Sequence, residues 1–466
     1  MKLDSINPAN GQSIKTYPTL SDAEVKEAID KAVTAFEDWR HSDPYHRTAC
    51  MKKAANILRN NKQQYALLIS REMGKPVKQA IAEIEKSAQA CDHYADHARD
   101  YLAVESVQTS NSESFVAFEP LGVILAVMPW NFPFWQVIRF AAPALMAGNA
   151  GLLKHASNVS GCALAIEAVF MAAGFPAGLF KTLLIESTRV EAIVKNPAIS
   201  AVTLTGSAPA GSAVASAAGK ALKKSLLELG GNDAYLVLKD ADLPLAARLC
   251  VQSRMNNAGQ SCIAAKRLIV EAAVVKEFES LVAKELAAYV ATDPEQEYTL
   301  LGPLARPDLR AELQRQVDAS ITMGATCLLG GKIPEGDGSY YPATLLTGVT
   351  SNMPAFREEL FGPVACIIPV SDEASAIKLA NDSVFGLGAA VFSRDIEKAK
   401  KIATHQLEAG TCVVNDFVRS DPLLPFGGIK QSGYGRELSH FGIREFVNVK
   451  TVCVGATSQT IPAGIK

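Results

Sequence analysis

From residue 121 onward the chain repeats one pattern: a short apolar run of β-type residues, then a segment of helix length, then another apolar run. The runs fall at 121–128, 151–155 (GLLKH), 179–185 (LFKTLLI), 201–206 (AVTLTG) and 234–238 (AYLVL), with stretches such as GCALAIEAVFMAAG between them. Apolar strands joined by helices imply a parallel sheet, because a parallel connection needs a crossover and the crossing helices bury both faces of each strand. The pattern predicts a doubly wound α/β domain of the nucleotide-binding kind. A second alternation follows residue 262: RLIVE, a helix through VKEFESLVAKELAAYV, then YYPATLLTGV, PVACIIPV, GLGAAVFS and AGTCVVND. It predicts another α/β domain at about 235 to 430. Ahead of both, residues 21–105 are rich in Ala, Lys, Glu and Leu at helical spacing, opened by Ser21 and Glu24 as a capping box.

Composition removes several classes of function. With 466 residues, 48% hydrophobic and 20% charged, the chain has material for two or more cores. A net charge of −2 offers no general basic field, so nucleic acid is not an expected partner and any anion site must be local. The start MKLDSINPANGQS lacks the pattern of a signal peptide, and no apolar run reaches the roughly 18 residues of a membrane span, so a cytoplasmic protein without a membrane partner is expected. Nine cysteines lie scattered with no CxxC, which favours reduced thiols. His93 and His97 have the spacing of a helical metal pair near Cys91, but CDHYADHARD also reads as a solvated helix face, and no metal is expected.

Chemistry gathers around NNAGQSCIAAKR, residues 256–267. Cys262 as a nucleophile needs a base or a positive setting, since an ordinary thiol is protonated at neutral pH. None of the seven histidines sits in a triad-like motif. Glu228 in LLELGGNDAY ends an apolar run and precedes two glycines, a setting that can bury a carboxylate and raise its pKa toward neutrality. Asn131, held among the prolines and aromatics of MPWNFPFWQ, offers an amide N–H to an oxyanion. In TLTGSAPAG, Gly206 and Gly211 flank a strand-to-helix turn where a pyrophosphate can sit, although the spacing departs from G-x-G-x-x-G and a plain turn has the same look. Lys154 ends a strand, in reach of ribose hydroxyls or phosphate if that end faces a cofactor; a surface lysine is the alternative. Ser157 is neutral where an acidic residue would repel a 2′-phosphate, so NADP is permitted.

Six motifs, MPWNFPFWQ, TGS, LELGGND, GQSC, EELFGPV and PFGGIKQSGYGRE, stand in the order and spacing of the NAD(P)-dependent aldehyde dehydrogenase superfamily, and the chain resembles that family over nearly its whole length. KHASN and GQSCIAAKR look most like the short bacterial succinate-semialdehyde dehydrogenases. The resemblance implies an aldehyde substrate attacked by Cys262, an oxyanion met by Asn131 and the Cys262 backbone N–H, and water activated by Glu228. It implies NADP or NAD held by Trp130, Lys154, Ser157, Gly206, Ser207, Gly211, Glu359 and Phe361. It further implies a Rossmann-type cofactor domain at 1–228, a catalytic domain at 229–433 and a tail at 434–466. That tail, with strands at 105–120, would form a small β oligomerisation element in a homodimer or homotetramer.

A carboxylate-bearing aldehyde needs a cation in the access funnel, since a buried unpaired carboxylate is costly. Arg139, two helical turns beyond Asn131, is one candidate; Arg419 and Ser420 in DFVRSDPLLPFGG are others. Three rivals share parts of this reading. A CoA-acylating relative commonly lacks the glutamate, a cofactor-independent thioesterase or esterase leaves Lys154, Gly206 and Glu359 without purpose, and a noncatalytic scaffold has no need of Cys262.

Overall fold

The computed structural model describes residues 2–455. Its two largest sheets carry the two main hydrophobic cores. In the first, the spatial order is Lys224–Glu228, Ile199–Thr205, Val123–Met128, Ala150–His155 and Phe180–Thr182, all parallel, with Gly433–Tyr434 added antiparallel beside Lys224–Glu228. The chain runs outward one way from Val123–Met128 and then returns to its other side. The switch point between Val123–Met128 and Ile199–Thr205 opens a crevice at the strands' C-terminal ends.

The second sheet orders Thr326–Leu329, Thr344–Thr347, Val364–Val370, Arg267–Glu271, Ala234–Val237, Gly388–Phe392 and Thr411–Val414, parallel except for the first pair. Ala234–Val237, counted with the first set of runs by alternation alone, belongs here, flanked by Arg267–Glu271 and Gly388–Phe392. Its neighbours in space are the strands of the second alternation, which sequence order does not reveal. The N-terminal hairpin Lys2–Ile6 with Ser13–Pro18 carried no clear pattern, and the apolar run that ends at Glu228 was not counted among the strands.

The helical opening is present as Asp22–Trp39, Pro44–Asn60, Lys62–Met73 and Val77–Tyr101, the first started by the Ser21–Glu24 capping box. The stretches flagged at 105–120 and in the tail pair with each other: Glu113–Pro120 lies between Glu105–Ser106 and Val447–Val454 in a three-stranded antiparallel sheet. Residues 456–466 of the tail lie outside the described residues. Among the described residues no helix is long and apolar enough to cross a membrane.

Candidate active site

The segment Asn256–Gly259 continues the helix Leu243–Met255 as one distorted turn, in which Asn257 (φ 53°), Ala258 (φ 53°) and Gly259 (φ 72°) all take left-handed backbone. Each such residue with a Cβ costs roughly 1–2 kcal/mol, so neighbours must hold the turn. The Asn257 N–H donates to Gln79 Oε1 (2.8 Å), its amide donates to Asn131 O (2.7 Å), and Gln260 Oε1 accepts from the Ala305 N–H (2.9 Å). Gly259 lies so close to Gly362 O that any Cβ would collide. The turn delivers Ser261 and Cys262 to the wall of a cavity of about 510 Å³.

Burial pushes the Cys262 thiol up to about 12; Glu228 and Glu359 add to the shift, and Lys266 and Arg139 oppose it. The resting thiol is therefore protonated, and attack requires a base. Glu228 ends its strand fully buried, and burial, with Glu437 adding, holds its carboxyl well above the usual carboxylate range against Arg139 and Arg436. The Asn131 side chain donates to Gln260 O (3.0 Å), two residues before the cysteine. Its own carbonyl accepts from Lys75 Nζ (2.9 Å) as well as from Asn257.

Two buried cations here escaped the sequence reading. Lys75 pairs with Glu83, whose other oxygen accepts from the backbone N–H of Phe134 (2.9 Å) and Trp135 (3.1 Å), so this pair fixes the turn that carries Asn131. The visible signal was Glu83 on the apolar face of Val77–Tyr101, beside Ala80, Ile84 and Ser87. Lys266 donates to the carbonyls of Ser261 (2.9 Å) and Cys262 (2.6 Å) and pairs with Glu359 at 3.1 Å. It stands within the quoted GQSCIAAKR, but a lysine four residues on has no periodic reason to turn back.

Most of the residues expected at a cofactor lie at the C-terminal ends of the first sheet's strands, while Glu359 and Phe361 come from the segment before Val364–Val370 of the second. Ser207 begins the helix Ala208–Lys220 with no side-chain cap, leaving first-turn N–H groups free at the end of Ile199–Thr205. Gly211 packs against Leu229, where a Cβ would clash. Lys154 is buried, has no carboxylate partner among the described residues, and is shifted down by burial. Ser157 is exposed and opens the short turn Ser157–Val159. Trp130 meets Phe361 edge-on at 5.8 Å, so the structure brings together two residues far apart in the chain. Glu359 also accepts from the Gly231 N–H (3.1 Å) and presses against Gly230, which leaves no room for a side chain there. An uncapped helix N-terminus, an unpaired buried lysine and a carboxylate at one crevice fit a dinucleotide.

The funnel candidates separate. Arg139, one of the candidates for the substrate's carboxylate, lines the cavity, and its Nε pairs with buried Glu437 at 2.5 Å. Glu437, some three hundred residues away, could not be foreseen. Arg419 is exposed at the cavity's edge, paired with Asp416 and lying over the Phe417 ring. Ser420 is buried in the wall and accepts from Lys86 Nζ (2.8 Å) and Trp135 Nε1 (3.1 Å). Among the described residues no group of His, Cys, Asp and Glu forms a metal cluster; the His93 and His97 rings stand 4.7 Å apart.

Comparison with known proteins agrees with this geometry. A profile described as the aldehyde dehydrogenase family matches residues 1–452. A Synechocystis protein named "Probable succinate-semialdehyde dehydrogenase [NADP(+)]" is 51% identical over 97% of this chain and 100% of its own length. An Escherichia coli succinate semialdehyde dehydrogenase that uses NAD(P)+ is 46% identical, covering 96% of this chain and 97% of its own. Among solved structures, the succinic semialdehyde dehydrogenase of Streptococcus pyogenes in complex with NADP+ superposes with a TM-score of 0.95 at 36% identity, covering 97% of this chain and 100% of that one.

Proposed function

The chain belongs to the aldehyde dehydrogenase family, and on that premise we propose that it oxidises succinic semialdehyde to succinate with NADP+ or NAD+. The observation that carries the reading is a half-buried thiol, Cys262, on the wall of a cavity that cationic side chains also line, with the buried carboxyl of Glu228 near enough to raise its pKa and the Asn131 amide anchored to Gln260, two residues before it.

The Cys262 thiol gives its proton up as Sγ attacks the aldehyde carbon, and Glu228, whose raised pKa makes it a stronger base than an exposed carboxylate, is suited to take it. The tetrahedral oxyanion forms beside the Asn131 amide, which keeps a second N–H beyond the one given to Gln260, and beside the Cys262 backbone N–H. Residues Lys154, Gly206, Ser207, Gly211, Ser157, Trp130, Glu359 and Phe361 would hold the dinucleotide, whose nicotinamide supplies the hydride acceptor that turns the adduct on Cys262 into a thioester. Glu228 then draws a proton from water to hydrolyse that thioester. A base already in place favours release to water over transfer to CoA. Ser157, neutral and exposed, supports acceptance of the 2′-phosphate of NADP.

The division proposed for the chain is a cofactor domain at 1–228, a catalytic domain at 229–433 and a tail. Val447–Val454 is an outer strand with Val449 and Val454 exposed, an open edge that supports pairing with a second copy in a homodimer or homotetramer. Initial rates of NADPH and NADH formation with succinic semialdehyde and with butanal test the function. A strong preference in kcat/KM for the charged aldehyde supports it, and equal rates reduce it to a broad-range aldehyde dehydrogenase.

A further inference from the structure

One oxyanion donor of the proposed reaction is a backbone N–H, and a backbone N–H points where its peptide plane points. In a trans peptide the C=O and the N–H lie on opposite sides, so whatever holds the Ser261 carbonyl also aims the Cys262 N–H. The group that holds it is Lys266. Its ammonium donates to Ser261 O (2.9 Å) and Cys262 O (2.6 Å) and pairs with Glu359 Oε1 at 3.1 Å. An ammonium has three protons, so all of them are spent, and the side chain is buried.

Three consecutive carbonyls of this turn are held by side chains instead of by a helix or a sheet. Gln260 O accepts from Asn131 (3.0 Å) and Asn257 (3.2 Å), and the next two accept from Lys266. Ser261 and Cys262 line the cavity while Lys266 does not, so the Ser261 carbonyl is drawn back behind the wall. The Cys262 N–H is turned the other way, and among the described residues it donates to no group. Gly231 closes the seat from the opposite chain segment, approaching Cys262 O so nearly that a Cβ there would collide.

Resting on the proposed function, we infer that Lys266 is a positioning residue for the oxyanion site: by holding the Ser261 carbonyl it keeps the Cys262 N–H aimed into the cavity. Glu359 fixes the ammonium in its turn, since a lysine on a flexible four-carbon stem can otherwise swing off either carbonyl. Without Lys266 the Ser261–Cys262 peptide has no partner to keep its plane. A turned plane replaces a donor with a carbonyl oxygen, which repels the oxyanion.

Two rates separate the aim of the N–H from mere access to the thiol. Alkylation by iodoacetamide, in which Sγ displaces iodide, forms no oxyanion, whereas attack on an aldehyde does. Lys266 also opposes the raised pKa of Cys262, an effect that slows both reactions alike, so the quantity to read is their ratio. At saturating NADP+, kcat/KM for succinic semialdehyde and for butanal is divided by the alkylation rate in the wild type, Lys266→Met and Lys266→Gln. The ratio is expected to fall about tenfold to a hundredfold in Lys266→Met, equally for both aldehydes. Lys266→Gln, shorter and uncharged but polar, is expected to show the same fall and decides the matter should Lys266→Met not fold. An unchanged ratio in a folded variant, or a chain that folds with neither substitution, overturns the inference alone, because Lys266 then serves the stability of the turn and not the direction of the N–H. A wild type that reduces NADP+ with neither aldehyde overturns the proposed function and the inference together.

Discussion

The two sheets supply the site from opposite ends. The first gives the C-terminal ends of its strands: Asn131 follows Val123–Met128, Lys154 lies within Ala150–His155, Gly206 and Ser207 follow Ile199–Thr205, and Glu228 ends Lys224–Glu228. The second gives the segments that lead into its strands, with Cys262 before Arg267–Glu271 and Glu359 before Val364–Val370. The first arrangement is the ordinary one for a parallel sheet, where the strand-to-helix turns create free N–H groups and a crevice without help. The second has no such default, so Cys262, the proposed nucleophile, depends on left-handed backbone and on hydrogen bonds from the first half of the chain, those of Gln79 and Asn131.

That contrast can be tested by perturbing each side. The largest effect is expected from Glu228→Gln on the first side, a loss of about 10²- to 10⁴-fold in kcat. Because the base must be ionised and its pKa is raised, the wild-type rate should climb with pH above the usual carboxylate range, and the variant should lose that limb. A burst of one equivalent of NADPH followed by arrest would show the thioester stranded on Cys262.

Next comes Arg139→Ala, which leaves Glu437 buried without its partner and should cost roughly 3–5 kcal/mol in urea unfolding. It also removes a cation that restrains the Glu228 pKa, so the pH limb should move higher. A variant of unchanged stability would show that the ion pair is not formed in solution.

The two glycine turns compare the sides directly. Gly259→Ala places a Cβ against Gly362 O on left-handed backbone and should destabilise by about 2–4 kcal/mol, with slower alkylation of Cys262. Gly206→Ala meets only Leu204, at 3.4 Å, and should cost less than about 1 kcal/mol. Equal costs would erase the proposed asymmetry. The smallest effect is expected from Arg419→Ala, whose exposed pair with Asp416 is worth about 0–1 kcal/mol; it should raise KM for the charged aldehyde only slightly, and less at high salt.

The sequence by itself determined the α/β alternation, the parallel sheets and the family, and it proposed the residue types of the candidate site, because each is written in local signals: apolar runs, glycine turns, and motifs a few residues long. Cys262, Glu228 and Asn131 were legible as a nucleophile, a buried carboxyl and an amide in a stiff turn. Tertiary structure decided what each charge near them is paired with. Arg139 was one candidate cation among others in the sequence, and only the fold shows Glu437 beside it; Lys86 carried no local signal, and only the fold shows Ser420 and Trp135 around it. Lys75 and Lys266 turn out to hold Asn131 and Cys262 in place by the same means. The physical reason is common to all four: a charge is satisfied by whatever lies within a few ångströms in space, and local patterning carries no information about partners far away along the chain.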